Sequence, residues 1–193
     1  MRWGLLLFLL LGMYASAEAQ NFPPSGGGAN TPAPREKMVS VYTRLDGRGC
    51  SLVSVERTTG ASVRRCRGVG RMKLLVARDD ERASITIIDG SNKEHPLDFW
   101  DVVTPAMSDL QRQAEWRVIE RGKTRIPIAL IARLSVLDQS DLERPSRQTL
   151  LVITKIAEGD ICVVQVLPAS RTTAGQFRRE ADDSKSKPCL GTS

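Results

Sequence analysis

The sequence is poor in the residues on which most enzyme chemistry depends. It holds one histidine, His95, and four cysteines in 193 residues. No C-x-x-C occurs, and with a single imidazole the chain lacks the ligand set of a zinc site. G-x-S-x-G, H-E-x-x-H and the P-loop are all missing. A catalytic thiol lacks a convincing histidine partner. Aromatic residues make up only 5%. No long apolar run is present either: after residue 19 no stretch approaches the ~20 apolar residues of a membrane helix. No metal and no cofactor are expected.

What the chain does have begins at its N-terminus. Arg2 precedes an apolar run from Leu5 to Leu11, and small residues follow at Ala15, Ala17 and Ala19. A positive start, a short apolar core and an A-x-A site describe a secretory signal peptide over 1–19. Cleavage is expected after Ala17 or Ala19. Cleavage after Ala19 removes Arg2 together with Glu18, so the charge stays at +6. No cysteine lies at the site for lipid attachment, and no Arg-Arg pair precedes the apolar run. The expected address is periplasmic or secreted.

Residues 20–37 read QNFPPSGGGANTPAPREK. Such composition buries too little apolar area to offset its ordering entropy, and predicts a flexible tether. Residues 38–193 are expected to form one domain. An even cysteine count in an exported chain favours disulfides. Of three pairings, the two local loops Cys50–Cys66 and Cys162–Cys189 are expected.

The domain opens with period-2 patterns. Val39, Val41, Thr43 and Leu45 alternate with polar neighbours. Further strands follow at 50–57, 61–66, 72–78 and 83–87, with turn residues between them. A short helix is expected after Pro105, through Met107 and Leu110. Ile126, Ile128, Leu130, Ala132, Leu134 and Val136 predict a long strand with one buried side. Ala157-Glu158-Gly159-Asp160 marks a hairpin between 150–156 and 161–167. Thr173 and Gln176 match a capping box, and Ala174, Phe177 and Ala181 follow at helical spacing. A helix over 174–184 is expected, packed on the sheet through Phe177. The fold class is α+β: mainly antiparallel sheet with a C-terminal helix, stapled by disulfides.

Arg64, Arg65, Arg67, Arg71 and Lys73 place five cations in ten residues. Guanidinium forks suit phosphate and carboxylate, so an anionic envelope glycan or lipid, or an acidic protein, is the expected partner. Contact with a membrane surface is compatible with this cluster; a transmembrane span is not expected. A solvated strand face that discourages aggregation explains the same residues more blandly. Alternation puts Arg65 and Arg67 on one face and Arg64 on the other. The cluster has no interleaved aromatics, so nucleic acid is not the expected partner.

Asp79, Asp80 and Glu81 read as a turn rather than as acid/base or calcium chemistry, with Arg82 balancing their charge. Asp98-Phe99-Trp100-Asp101 combines aromatics with carboxylates in the manner of a sugar platform, though aromatics more often anchor a core. Trp116 is expected in the core, and Gly68-Val69-Gly70 as a tight turn.

Tyr42-Thr43-Arg44-Leu45-Asp46, Cys50, Cys66-Arg67-Gly68-Val69-Gly70 and Asp80-Glu81-Arg82 follow one another along the first half of the domain. With Glu115-Trp116-Arg117, Leu151-Val152-Ile153-Thr154, Cys162 and Arg179-Glu180-Ala181-Asp182, the chain resembles small uncharacterised secreted proteins of Gram-negative bacteria. The resemblance spans most of 39–189. It implies a periplasmic address and paired cysteines, and carries no catalytic residue. The expected function is therefore a non-enzymatic binding module. An inhibitor of an extracellular hydrolase, acting through the loop at 79–82 or 139–146, is a special case. A hydrolase using Asp98 and Asp101 is the rival.

Overall fold

The computed structural model describes residues 36–138 and 143–191. The expected signal segment, the tether up to residue 35 and part of the 139–146 loop lie outside the described residues. Eleven strands and two α-helices follow in order. They are β1 (Lys37–Arg44), β2 (Cys50–Val55), β3 (Ser62–Arg67), β4 (Lys73–Asp79), β5 (Arg82–Ile88) and β6 (Glu94–Pro96). Then come α1 (Phe99–Val102), β7 (Ser108–Leu110), β8 (Gln113–Arg121), β9 (Thr124–Asp138), β10 (Ser146–Ala157), β11 (Asp160–Pro168) and α2 (Ala174–Asp182). The α+β class with mainly antiparallel strands and a late helix is what the structure shows.

The strands make two antiparallel sheets. One runs β2-β3-β4-β5-β6; the other runs β1-β8-β9-β10-β11, with β7 also paired to β9. Leu74, Val76, Ile85 and Ile87 of the first sheet share one buried cluster with Trp116, Val118, Leu130, Leu134 and Val152 of the second. The arrangement is a sandwich, closed by the area that alternate apolar positions remove from water. Helix α2 adds a third layer. Its Phe177 and Ala181 are buried against Ala129, Ile131, Leu151, Ile153 and Val164. Strand β10 is thereby covered on both faces, which is why Leu151–Ile156 is buried at every position.

The Thr173 cap forms as expected. Its Oγ1 accepts from the Gln176 N–H, and Gln176 Oε1 accepts from the Thr173 N–H at 2.8 Å. Both expected disulfides are present, Cys50–Cys66 across β2 and β3, and Cys162–Cys189 from β11 to the C-terminal segment. Beside the second, the Leu190 N–H bonds the Val163 carbonyl at 2.8 Å and covers the β11 edge. Disulfides of this kind belong to an oxidising compartment outside the cytoplasm. Among the described residues no helix is long and apolar enough to cross a membrane.

Three local expectations need correction. The segment after Pro105 is a strand, not a helix: Ser108 and Leu110 are buried at alternate positions opposite Val136 and Leu134. The helix forms earlier, at Phe99–Val102. The buried stripe of β9 is interrupted. Arg117 pairs with Ala129 and Val118 with Pro127, so Ile128 is the extra residue of a bulge and Ile126 emerges 36% exposed. Pro127 has no N–H to give the ladder, which is the physical reason a bulge is tolerated there. Finally, β1 already includes Lys37, the last residue assigned to the tether.

Candidate functional site

Strands β3 and β4 form the basic surface. Arg67 lies opposite Lys73, and Arg65 opposite Leu75. Between them Cys66 and Leu74 point to the core and are buried. The same alternation that buries Cys66 and Leu74 therefore leaves Arg65, Arg67 and Lys73 exposed on the outer face. The disulfide to Cys50 clamps β2 alongside.

Arg64 does not join this face. It stands opposite Leu52 and Val76 on the Cys66 side of the strand and is half-buried. Arg71 sits in the Gly68–Lys73 turn, where its Nη2 donates to the Gly90 carbonyl at 2.7 Å. Lys73 Nζ donates to Asn92 Oδ1 at 3.3 Å.

Two shallow depressions adjoin one another here. The first, about 340 Å³, is lined by Arg48, Ser51, Arg65, Arg67 and Lys73 among others. The second, about 440 Å³, is lined by Arg67, Arg71, Lys73 and Asn92. Arg67 and Lys73 border both. Arg48 is the member that sequence reasoning missed. It lies outside the 64–73 run, in the tight turn Gly47–Gly49. A side chain at Gly49 would come within 2.6 Å of Arg44 Cβ, so that turn requires glycine. The signal was the glycine pair flanking an arginine just before Cys50, once Cys50 is joined to Cys66. Among the described residues no carboxylate forms an ion pair with Arg48, Arg65, Arg67, Arg71 or Lys73. The face therefore carries uncompensated positive charge on a rigid pair of strands, an arrangement suited to phosphate or carboxylate oxygens.

The other candidates have structural tasks. His95 is 9% exposed, and its Nε2 lies 3.0 Å from Asp89 Oδ2. Asp89 Oδ1 accepts from the Ser91 hydroxyl and from the Ser91 and Lys93 N–H groups. The Ser91 hydroxyl and His95 hold the Asp89 carboxyl well below the ordinary carboxylate range. This pair pins the loop between β5 and β6.

Asp80 and Glu81 make the two-residue turn of the β4–β5 hairpin, both with positive φ (46° and 55°). Arg82 bonds Asp80 at 2.9 Å, the local balance expected. Phe99 is fully buried, so it is a core anchor rather than half of a sugar platform. Trp100 is half-buried, with the Arg82 guanidinium 5.4 Å from its ring centre. Asp98 and Asp101 are exposed on and beside α1. Trp116 is fully buried, and its Nε1 donates to Thr43 Oγ1 at 2.8 Å. Asp160, Cys162 and Cys189 come together, but both sulfurs are spent in a disulfide and neither is a thiolate ligand.

Compared with models of protein families, with characterised proteins and with solved structures, the chain matches none.

Proposed function

We propose that this chain is an exported, non-enzymatic binding module whose β3–β4 face engages an anionic partner in the periplasm or outside the cell. The export signal over 1–19, with cleavage at Ala17 or Ala19, and the likeness to small secreted proteins of Gram-negative bacteria belong to the same reading. The observation that carries it is the set of exposed cations without acidic partners, Arg48, Arg65, Arg67 and Lys73, held on one disulfide-clamped surface. A phosphate-bearing envelope lipid or glycan is the partner class that this spacing of forks and one ammonium serves best.

The test is retention of the chain on vesicles containing a phosphomonoester lipid, followed across a salt series. Retention should fall steeply as salt rises, since exposed charges are screened within ~8 Å at physiological ionic strength. It should also be lost in the triple variant Arg65→Ser, Arg67→Ser, Lys73→Ser. Those side chains lie outside the core, so the triple variant should keep its fold to within about 0.5 kcal/mol per site. Retention at high salt, or unchanged retention of the folded triple variant, would overturn the reading.

A further inference from the structure

The outer face of the second sheet, on the far side of the sandwich from β3 and β4, carries a concavity larger than the two depressions beside those strands. It is a cleft of about 610 Å³ between β1, β8, β9 and the first turn of α2. That volume is within the range of small-molecule sites, ~300–1,000 Å³. Ile131 and Phe177 form its buried floor, exposed Tyr42 and Ala174 give it apolar surface, and four guanidinium groups line it: Arg44, Arg112, Arg133 and Arg178.

Three of the four have carboxylate partners. Arg178 donates from Nε to Glu115 Oε1 at 2.5 Å and from Nη2 to the Tyr42 hydroxyl at 2.8 Å. Arg44 and Arg112 share the single carboxylate of Asp46, at 2.6 and 3.4 Å. Arg133 differs. Its guanidinium stacks over the Phe177 ring, 5.2 Å from the centre, and among the described residues it pairs with no carboxylate. A guanidinium held through its face keeps its in-plane N–H donors for oxygen ligands. Glu115 and Asp46 together leave the four cations with two positive charges in excess.

We propose that this cleft binds a small dicarboxylate with an apolar body. One carboxylate takes the fork of Arg133, the second takes the N–H donors of Arg112 and Arg44 that Asp46 leaves over, and the body lies along Tyr42 and Ala174. Two carboxylates match the excess charge, and their planar geometry fits bidentate guanidinium pairing. The site is independent of the β3–β4 face: it uses none of the same residues and takes a solute rather than a surface.

Calorimetric titration of the chain with terephthalate, adipate, benzoate and sulfate tests the proposal. Terephthalate and adipate should bind, and benzoate should bind about tenfold more weakly for want of its second charge-assisted contact. Arg133→Gln should weaken terephthalate by about tenfold or more. It breaks no ion pair but gives up the stack on Phe177, so its melting temperature should fall slightly while the transition stays cooperative. Ala174→Glu puts a carboxylate on an exposed lining position in the first turn of α2, where the helix tolerates it, and should repel the same ligand. Arg65→Ser should leave terephthalate binding unchanged. Absence of heat with both dicarboxylates, undiminished affinity in folded Arg133→Gln, or sulfate binding as tightly as terephthalate would each overturn the proposal.

Discussion

Arg117 of β8 grips Asp182, the last residue of α2, through two hydrogen bonds of 2.6 and 2.9 Å. A carboxylate at a helix C-terminus opposes the helix dipole, and Arg117 offsets that penalty. The same guanidinium donates to Ser40 Oγ at 2.6 Å, and Ser40 donates to Glu115 Oε1 at 2.6 Å. Glu115 in turn accepts from Arg178. A single charged chain thus ties β1, β8 and α2 into one unit.

Asp182→Ala removes the partner of a guanidinium that is 9% exposed. The expected loss is about 3 kcal/mol, since a buried charge left alone costs more than the pair contributes. Urea unfolding reads it. Adding Arg117→Met to the same variant should restore part of the loss, because the uncompensated charge is gone.

Stability should fall in acid. Burial pushes the Glu115 carboxyl up, but the Arg178 hydrogen bonds, the Ser40 hydroxyl and the charge of Arg178 outweigh it and hold it below the ordinary 4.5. Glu180 is lowered by Lys187. A carboxylate lowered on folding binds fewer protons in the native state, so its stabilisation is present above the unfolded value and lost as pH falls through the folded one. Melting temperature should therefore change little near neutrality and drop below about pH 4.5. In Glu115→Gln the acid slope should be shallower; an unchanged slope would remove Glu115 from the explanation.

Cys50→Ser with Cys66→Ser opens a loop of sequence separation 16. The chain-entropy model gives a loss of about 3 kcal/mol. Residues 51–60 are all exposed, and among the described residues β2 is an edge strand that pairs only with β3. The double variant should be cleaved first within 51–60 in limited proteolysis, while the β8–β11 sheet stays protected.

Gly68→Ala should destabilise by about 2 kcal/mol by overpacking. An added Cβ would stand 2.7 Å from the Met72 carbonyl oxygen and 3.1 Å from the Trp116 ring. Neither neighbour is a flexible tip that can move aside. Gly175→Ala, whose added carbon meets only the flexible end of Arg179 at 3.4 Å, is the uncrowded control. A thermal melt separates the two.

Strand alternation was legible wherever both faces of a strand had different fates. Arg65 and Arg67 alternate with Cys66, and their placement follows from period 2 alone. The α2 cap was legible because Thr173 and Gln176 act within one turn. Residues 105–110 were misread because Met107 and Leu110 sit at helical spacing, whereas pairing with Val136 and Leu134 decides the conformation. The bulge at Ile128 was missed because the apolar pattern runs straight through it, and only the register with β8 shows the extra residue.

The sites divide the same way. The 64–73 cations cluster along the chain, so sequence found them; Arg48 belongs with them only through the Cys50–Cys66 link. The cleft of Arg44, Arg112, Arg133 and Arg178 draws on four distant segments and left no local trace.

By itself the sequence determined the strand alternation, the helix cap and the run of cations, because each rests on residues within a few positions; it left three cysteine pairings open, from which the fold selected the two local bridges. The tertiary structure alone decided which sheet faces meet, which arginines find carboxylates and that Arg133, within its cleft, stacks on Phe177 without one. Those outcomes depend on contacts between segments far apart in the chain, whose selection is a property of the whole packed core and not of any one stretch.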